Sequence, residues 1–447
     1  MKMMNEYRVK KLNRKSPIVV EVPGSKSITN RALLLAAMTN TTCRVNGILF
    51  SDDSRHFLKA LCDLGFNVLV DEKNKTVSIE GKGGIIPKQK ATIDVGSAGT
   101  AARFLTAFCA LNKGEFIINS SEQMKKRPMK ELLICLEELG SNIEYLGEKY
   151  HFPIKICNKH MQNLKDEITV NVNKSSQFLS ALLISSVILK KDFKIKIDGT
   201  HGMAYVRMTI EMMKQFGVEV KQLEERVYVI KEDSVYSCSS YQVEPDVSAA
   251  CYFYALGAIC SIKVKVKNVK KESLQGDIKF LEVLEDMGCN VLEDENGEII
   301  IISPLENRVN LKGGTWDLSS FSDQALTLSA IAVYADSNVC IKNIGHIRFQ
   351  ECDRVNAIIS NLEKVNVKTE IIKKEDDNLD LVIYPVDDFD KMLVERKKIN
   401  VIETYEDHRV AMAFSLLGIR NAKIIIENPL CCRKTFENYF DVLDGLY

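Results

Sequence analysis

The stretch Phe57–Val70, FLKALCDLGFNVLV, reads as an amphipathic helix, a glycine stop and a strand. The same phrase returns as LLICLEELGSNIEYL (132–146), TIEMMKQFGVEVKQL (209–223), FLEVLEDMGCNVLED (280–294) and IISNLEKVNVKTEII (358–372). Its stops fall at Gly65, Gly140, Gly217, Gly288 and Asn366, residue types that suit a left-handed helix C-cap. The recurrence is roughly every 75 residues, which marks an internal repeat. A sixth helix, TFENYFDVLDGLY, ends the chain before a strand could follow it.

A second phrase recurs half a unit earlier: SITNRALLLAAM, SAGTAARFLTAFCAL, SSQFLSALLISSVIL, DVSAACYFYALGAIC, SDQALTLSAIAVYA and EDHRVAMAFSLLGI. These helices are apolar nearly all round, so they are expected to be buried. The first set carries Lys, Glu and Asp on one face and is expected to lie outside. Strands such as KIKIDGT, VKVKNV, CIKNI and KIIIENP follow the buried helices. The unit reads strand, buried helix, strand, outer helix, strand, strand. Six such units fit the length, as one ring or as two groups of three. The second is favoured: a lobe of residues 23–243 inserted in a second lobe made of 1–22 and 244–447. Generic α/β alternation is the plainer reading, but two helix types recurring in phase speak against it.

With 447 residues, 46% hydrophobic and 27% charged, the composition is that of a soluble globular chain of two or three domains. Sixty basic residues balance sixty acidic ones, which argues against general nucleic-acid or membrane-surface binding. Thirteen cysteines form no CxxC pair, and the six histidines form no HExxH. Reduced thiols, a cytoplasmic location and no dedicated metal site are expected. The basic start MKMMNEYRVKKLNRK lacks an apolar signal core, and no apolar run is long enough to span a bilayer.

Unusual polar groups collect where the buried helices begin. The first start has Lys26, Ser27 and Arg31; the second has Gly96, Gly99, Thr100 and Arg103; the third has Ser175, Ser176 and Gln177. The fifth has Asp323, and the sixth has Glu406, Asp407, His408 and Arg409. Taken singly, such residues are helix caps or surface charges. Their joint placement on equivalent elements points to a site for anions, because helix starts present partial positive charge. If two lobes face each other with these ends converging, the crevice attracts anions and closes when they bind. No GxxxxGK[ST], GxGxxG or GxSxG motif offers a nucleotide loop or a serine nucleophile.

The segments PGSKSITNRALLLAA, AGTAAR, KRPM, SSQFLSALL, ECDR, TYEDHRVAMAFSL and KTF resemble, in order, the motifs of the enolpyruvylshikimate-phosphate synthase family. The resemblance covers nearly the whole chain. It implies a two-lobed inside-out α/β barrel of six βαβαββ units, three per lobe, with no metal or organic cofactor. It implies transfer of enolpyruvyl from phosphoenolpyruvate to shikimate 3-phosphate through a tetrahedral intermediate, in the shikimate pathway toward aromatic amino acids. Both substrates carry a phosphate and a carboxylate, so a closed site must supply lysines and arginines.

By resemblance, Lys26 bridges the two substrates and helps protonate the departing phosphate. Ser27 and Arg31 hold the shikimate carboxylate, Ser175 and Ser176 its phosphate, and Gln177 contacts both substrates. Tyr205 stacks on the ring, and Gln350 is among the residues that bind shikimate 3-phosphate. Gly99 lies against phosphoenolpyruvate, with Arg127, Arg354, Arg409 and Lys434 as its cationic clamp. Asp323 and Glu351 form the acid–base pair, Asp323 taking the hydroxyl proton and Glu351 handling the enol-carbon proton.

Four positions depart from the family pattern: Gln350 for a usual Lys, His346 for a frequent Asn, Gly202 for a phosphate-contacting Ser, and Phe104 for a common Pro. The related UDP-N-acetylglucosamine enolpyruvyl transferase is the alternative enzyme. Its Lys-Asn pair and loop cysteine are replaced here by Lys26-Ser27 and by NSSEQMKKRP, which has none. A non-catalytic anion-binding repeat protein is the alternative outside enzymes. The partners expected are the two small substrates, with no nucleic acid or membrane, and a monomeric chain.

Overall fold

A computed structural model describes residues 6–159, 165–199, 202–303, 310–375 and 378–447. Residues 1–5 of the basic start, and Thr200 and His201 just before Gly202, lie outside the described residues. The chain folds as two units. One is continuous, Gly24–Glu244; the other joins Met1–Pro23 to Pro245–Tyr447. Two backbone bonds set the divisions. Ser25 donates to the Glu244 carbonyl inside the continuous unit, and Asp246 donates to the Pro23 carbonyl inside the other, each at 2.8 Å.

The continuous unit holds three four-stranded sheets. In the second, Lys90–Asp94 runs parallel to Gly114–Asn119, which pairs antiparallel with Ile154–Asn158, and that with Ile143–Tyr145 at the edge. The third repeats this order with Glu167–Asn171, Phe193–Asp198, Val227–Ile230 and Lys221–Glu224. In the first, Thr42–Asn46 takes its parallel neighbour from Ser240–Gln242, at the end of the unit, and continues through Thr76–Glu80 to Val68–Asp71.

The discontinuous unit has the same order in Ile18–Val20, Val264–Val266, Ile299–Ile302 and Asn290–Glu293. It recurs in Gly314–Asp317, Val339–Lys342, Leu379–Tyr384 and Lys368–Lys373. A last sheet has three strands: Asn400–Ile402 parallel to Ile424–Glu427, with Glu6–Arg8 antiparallel beside it. The N-terminal strand thus occupies the antiparallel return position of this sheet. The six sheets are separate, and none closes on itself as a β-barrel among the described residues.

Parallel neighbours need a crossover; an apolar helix supplies it directly in four sheets, and in the two sheets with exchanged strands the helix leads into Thr42–Asn46 or Val264–Val266. The helices are Lys26–Met38, Gly99–Ala110, Gln177–Ser186, Val247–Cys260, Ala325–Ala332 and His408–Ser415. All residues of Gly99–Ala110, Ala325–Ala332 and His408–Ser415 are buried. Their sequences offer no polar face, so burial on every side is the low-energy arrangement; each enclosed Leu or Phe contributes about 1.5–3 kcal/mol. The amphipathic helices behave differently. Asp52–Asp63 buries Phe57, Leu58, Ala60 and Leu61. Arg354–Lys364 buries Val355, Ala357, Ile358 and Leu362. The stops at Gly65, Gly140, Gly217, Gly288 and Asn366 have positive φ of 97°, 89°, 89°, 101° and 60°, the left-handed conformation that ends a helix. No described helix is long and apolar enough to cross a membrane.

Candidate functional site

In the continuous unit, Ser25 caps the helix Lys26–Met38 by accepting the Ile28 amide, which fixes the side chains that follow. Lys26 Nζ lies 3.5 Å from Asp53 Oδ2, and both side chains are largely enclosed. Asp53 is the second residue of Asp52–Asp63, a helix whose start is locked by a capping box between Ser51 and Ser54. Lys26 and Ser27 keep partial access to solvent at the helix start.

Arg31 is buried, and its guanidinium ties three helices together. Nε donates to Thr209 Oγ1 at 2.8 Å, Nη1 to the Ser27 carbonyl at 2.9 Å, and Nη2 to the Tyr205 carbonyl at 3.3 Å and Ser180 Oγ at 3.5 Å. It also packs over the Phe104 ring at 5.3 Å. Burial pulls this guanidinium down to about 10. The structure therefore gives Arg31 a packing task that its sequence position does not disclose.

Gly99 opens the second apolar helix between two cations. Arg103 Nη1 donates to the Gly99 carbonyl at 3.2 Å and to Gln177 Oε1 at 2.9 Å, while Nη2 reaches the Pro128 carbonyl at 2.9 Å. Arg127 Nη1 approaches the Ser97 carbonyl at 3.5 Å. A Cβ on Gly99 would lie 2.6 Å from Arg103 Nη1 and 2.7 Å from Arg127 Nη1, so any larger residue there displaces the ends of these two arginines. With its carbonyl oxygen accepting from Arg103, Gln177 has its NH₂ group as the side chain's donor. Ser175 Oγ accepts the Gln177 amide at 3.3 Å, and Ser176 precedes the helix. Gly202, with φ +65°, leaves room for Ser176: a Cβ there would come within 2.5 Å of Ser176 Oγ. Tyr205 follows on the helix Met203–Gln215, half-buried.

The discontinuous unit brings six charged side chains into one network. Asp323 sits in the turn Ser322–Gln324; its Oδ1 accepts Arg354 Nη1 at 2.7 Å and its Oδ2 lies 2.8 Å from Arg409 Nη2. Glu351 Oε2 accepts Arg354 Nη2 at 3.0 Å, and its Oε1 lies 3.5 Å from Lys434 Nζ. Asp407 accepts Arg354 Nε at 2.8 Å and caps the helix His408–Ser415 through the Arg409 amide at 2.9 Å. Three carboxylates face three cations, so the cluster neutralises itself. Burial alone would pull the Arg354 guanidinium down, but Asp407, Glu351 and Asp323 together raise it well above its usual value. The group stays charged and holds the three acids in place. Tyr405 and Glu406, both at positive φ (52° and 56°), form the turn that presents Asp407.

Gln350 Oε1 accepts a bond from Arg354 Nη1, so the residue that replaces the usual Lys contributes to the network. A lysine there would face the guanidinium instead. His346 Nε2 lies 2.8 Å from Ser322 Oγ and so supports the turn that carries Asp323. Among the described residues, no three His, Cys, Asp or Glu side chains are grouped to hold a metal ion.

Within the continuous unit, Lys26 and Ser27 stand at one helix start, Gly99 and Arg127 at a second, and Ser175, Ser176 and Gln177 at a third. Arg31 and Tyr205 are joined to them through the Arg31 bonds. In the discontinuous unit, Asp323, Gln350, Glu351, Arg354, Arg409 and Lys434 form one bonded cluster. The sequence reading did not place Asp53, Arg103 or Asp407 in the site. Arg103 and Asp407 stood at helix starts already singled out. Asp53 belongs to an outer helix, where acidic residues are ordinary first-turn features.

The family model for EPSP synthase (3-phosphoshikimate 1-carboxyvinyltransferase) matches residues 12–443. The chain is 39% identical over 440 residues to a 3-phosphoshikimate 1-carboxyvinyltransferase of Trichormus variabilis, covering 98% of each. It is 38% identical over 440 residues to one from a Nostoc species, again covering 98% of each. Among solved structures, EPSP synthase from Acinetobacter baumannii aligns with a TM-score of 0.77 at 23% identity, over 98% of this chain and 97% of that one. The enolpyruvyl transferase NikO from Streptomyces tendae aligns with a TM-score of 0.71 at 12% identity, over 99% and 96%. At those identities the two structures speak for a shared α/β fold.

Proposed function

The chain belongs to the EPSP synthase family, and from that membership we propose which of its residues carry the family's reaction. It is a transferase of the shikimate pathway: it moves the enolpyruvyl group of phosphoenolpyruvate to the 5-hydroxyl of shikimate 3-phosphate and releases phosphate.

The observation that carries the assignment is the Asp323 carboxylate gripped by two guanidiniums, with Glu351 on the same hub. In the addition step the 5-hydroxyl oxygen bonds to C2 of phosphoenolpyruvate while the methylene carbon gains a proton. Asp323 accepts the hydroxyl proton, and Glu351 governs the proton on the methylene carbon. In the elimination step the C2–O bond to phosphate breaks, the methyl group returns a proton, and the enol ether forms. Lys26 donates toward the departing phosphate.

Arg127, Arg409 and Lys434 bind the phosphoenolpyruvate anions together with Arg354, whose first task is to orient the acids. Ser27, Arg31, Ser175, Ser176, Gln177, Tyr205 and Gln350 position shikimate 3-phosphate, and Arg31 also ties together the helices Lys26–Met38, Gln177–Ser186 and Met203–Gln215. The self-neutralised network has a consequence for binding. An incoming phosphate or carboxylate must compete with Asp323 and Glu351 for the same cations, and its binding leaves those acids readier to take protons.

The six sheets are copies of one βαβαββ unit, three to a lobe, in the inside-out α/β arrangement; the equal strand order of five sheets and the helix types between their strands support this. The enzyme acts in the cytoplasm as a monomer.

Phosphate release from phosphoenolpyruvate, measured with and without shikimate 3-phosphate, tests the reaction. Release dependent on both is expected, and none at saturating concentrations overturns the assignment. Gly99→Ala is expected to push Arg103 or Arg127 aside and raise KM for phosphoenolpyruvate about tenfold or more, with a smaller effect on KM for shikimate 3-phosphate. Equal changes in both constants would remove Gly99 from the phosphoenolpyruvate side.

A further inference from the structure

A buried carboxyl that the reaction scheme does not use stands behind Asp323. Asp277 lies in the turn Gly276–Lys279, and its Oδ1 accepts Gln324 Nε2 at 2.7 Å. Gln324 is the neighbour of Asp323, and its other end is fixed as well: Oε1 accepts Thr327 Oγ1 at 2.9 Å. The turn that carries the proposed base is therefore pinned from behind by an amide held between Asp277 and Thr327. The turn that carries Asp277 is pinned in its own right. Gln275 Oε1 accepts the Val247 amide at 3.0 Å, and its Nε2 donates to the Pro245 carbonyl at 2.7 Å.

The charged and titratable groups around Asp277 come from several elements. Asp246 and Cys251 face it from the helix Val247–Cys260 and its cap, and Cys251 Sγ points to the Asp277 carbonyl at 3.7 Å. Asp323 faces it from the turn Ser322–Gln324, and Arg409 from the helix His408–Ser415. Asp323 carries two guanidinium bonds, and such bonds make a carboxylate a poor proton acceptor. A second negative charge nearby offsets part of that effect.

We propose that Asp277 is a positioning residue for the transfer reaction, holding the Asp323 turn through Gln324 and, as an anion, strengthening Asp323 as a base. This rests on the reading of Asp323 as the proton acceptor. Burial, then the charge of Asp323, pushes the Asp277 carboxyl up to about 6. The sign of the pH effect follows: above this value Asp277 is charged and supports the base, and below it the support is lost.

The test compares kcat at saturating substrates from about pH 5.5 to 8.5 for the parent, Asp277→Asn and Gln324→Glu. Asparagine keeps the oxygen that accepts the Gln324 amide but carries no charge, so the fold is expected to persist. Asp277→Asn should lower kcat about tenfold at the alkaline end and converge on the parent at the acid end, with both KM values little changed. Ionisation of the substrate phosphates is common to parent and variants and cancels in the comparison. Gln324→Glu sets two carboxyls to share one proton, so one negative charge persists beside Asp323 at lower pH and the acid limb should move to lower pH. Parent-like kcat in Asp277→Asn at pH 8.5, or the same loss at every pH, overturns the proposal, as does an unmoved limb in Gln324→Glu. Asp323→Asn separates the two levels. If it is active, the reading of the base fails; if it is inactive while the Asp277→Asn profile matches the parent, this inference alone fails.

Discussion

Asp323→Asn is expected to lower kcat by about 10³-fold, the range lost with a positioned general base, while phosphoenolpyruvate binds more tightly than to the parent. Both parts follow from the same bonds. The amide keeps an oxygen for Arg354 Nη1, so the turn Ser322–Gln324 should hold its place. It cannot take up the 5-hydroxyl proton, so the addition step loses its acceptor. It also withdraws a negative charge from Arg409, which lies 2.8 Å from the carboxylate. A guanidinium released from an internal acid is a better partner for a substrate anion. Initial rates and calorimetric titration with phosphoenolpyruvate in the presence of shikimate 3-phosphate measure the two effects. A kcat within tenfold of the parent would exclude Asp323 as the base, and weaker binding would refute competition between the acid and the substrate.

Arg354→Met is the substitution expected to cost most in stability. Arg354 is almost fully enclosed and serves Asp323, Glu351 and Asp407 together. Its removal strands three acids in a buried setting, a change worth about 3–5 kcal/mol for a broken buried pair. For a unit of this size that corresponds to a fall of roughly 10 °C in melting temperature, together with loss of activity. The deficit should be greatest at neutral pH and shrink as pH falls, because a stranded carboxylate that accepts a proton no longer buries charge. Melting followed by circular dichroism across pH gives the answer. A deficit that is the same at every pH would mean lost packing, not stranded charge. Arg354→Lys should fall between, since an ammonium keeps a charge but cannot bond three acids through a planar fork.

Different parts of this architecture were legible to different degrees. Helices such as Val247–Cys260 and Ala325–Ala332 could be read as buried because nothing in them seeks water. The stops at Gly65 and Gly288 could be read because a left-handed residue excludes most side chains. Lys26, Gly99, Gln177, Asp323 and Arg409 could be found because chemistry-bearing residues recur at equivalent helix starts. Strand exchange could not be found this way. Ser240–Gln242 pairs with Thr42–Asn46, and Ile18–Val20 with Val264–Val266, and no local pattern in any of them names its partner. The same holds for Arg31, whose bonds to Thr209, Ser180 and Tyr205 no local pattern names, and for Asp53 and Asp277, plain acids until their neighbours are known.

The sequence by itself determined the alternation of apolar and amphipathic helices, their stops, and the residue types gathered where the apolar helices begin, since each depends on groups a few positions apart. Tertiary structure decided which acid meets which cation. The Arg354–Asp407 bond joins residues 53 apart in the chain, and the charge state of each group depends on burial and on neighbours that folding supplies. Local patterning is a one-dimensional property; electrostatic partnership falls off with distance through space, and that distance exists once the chain has folded.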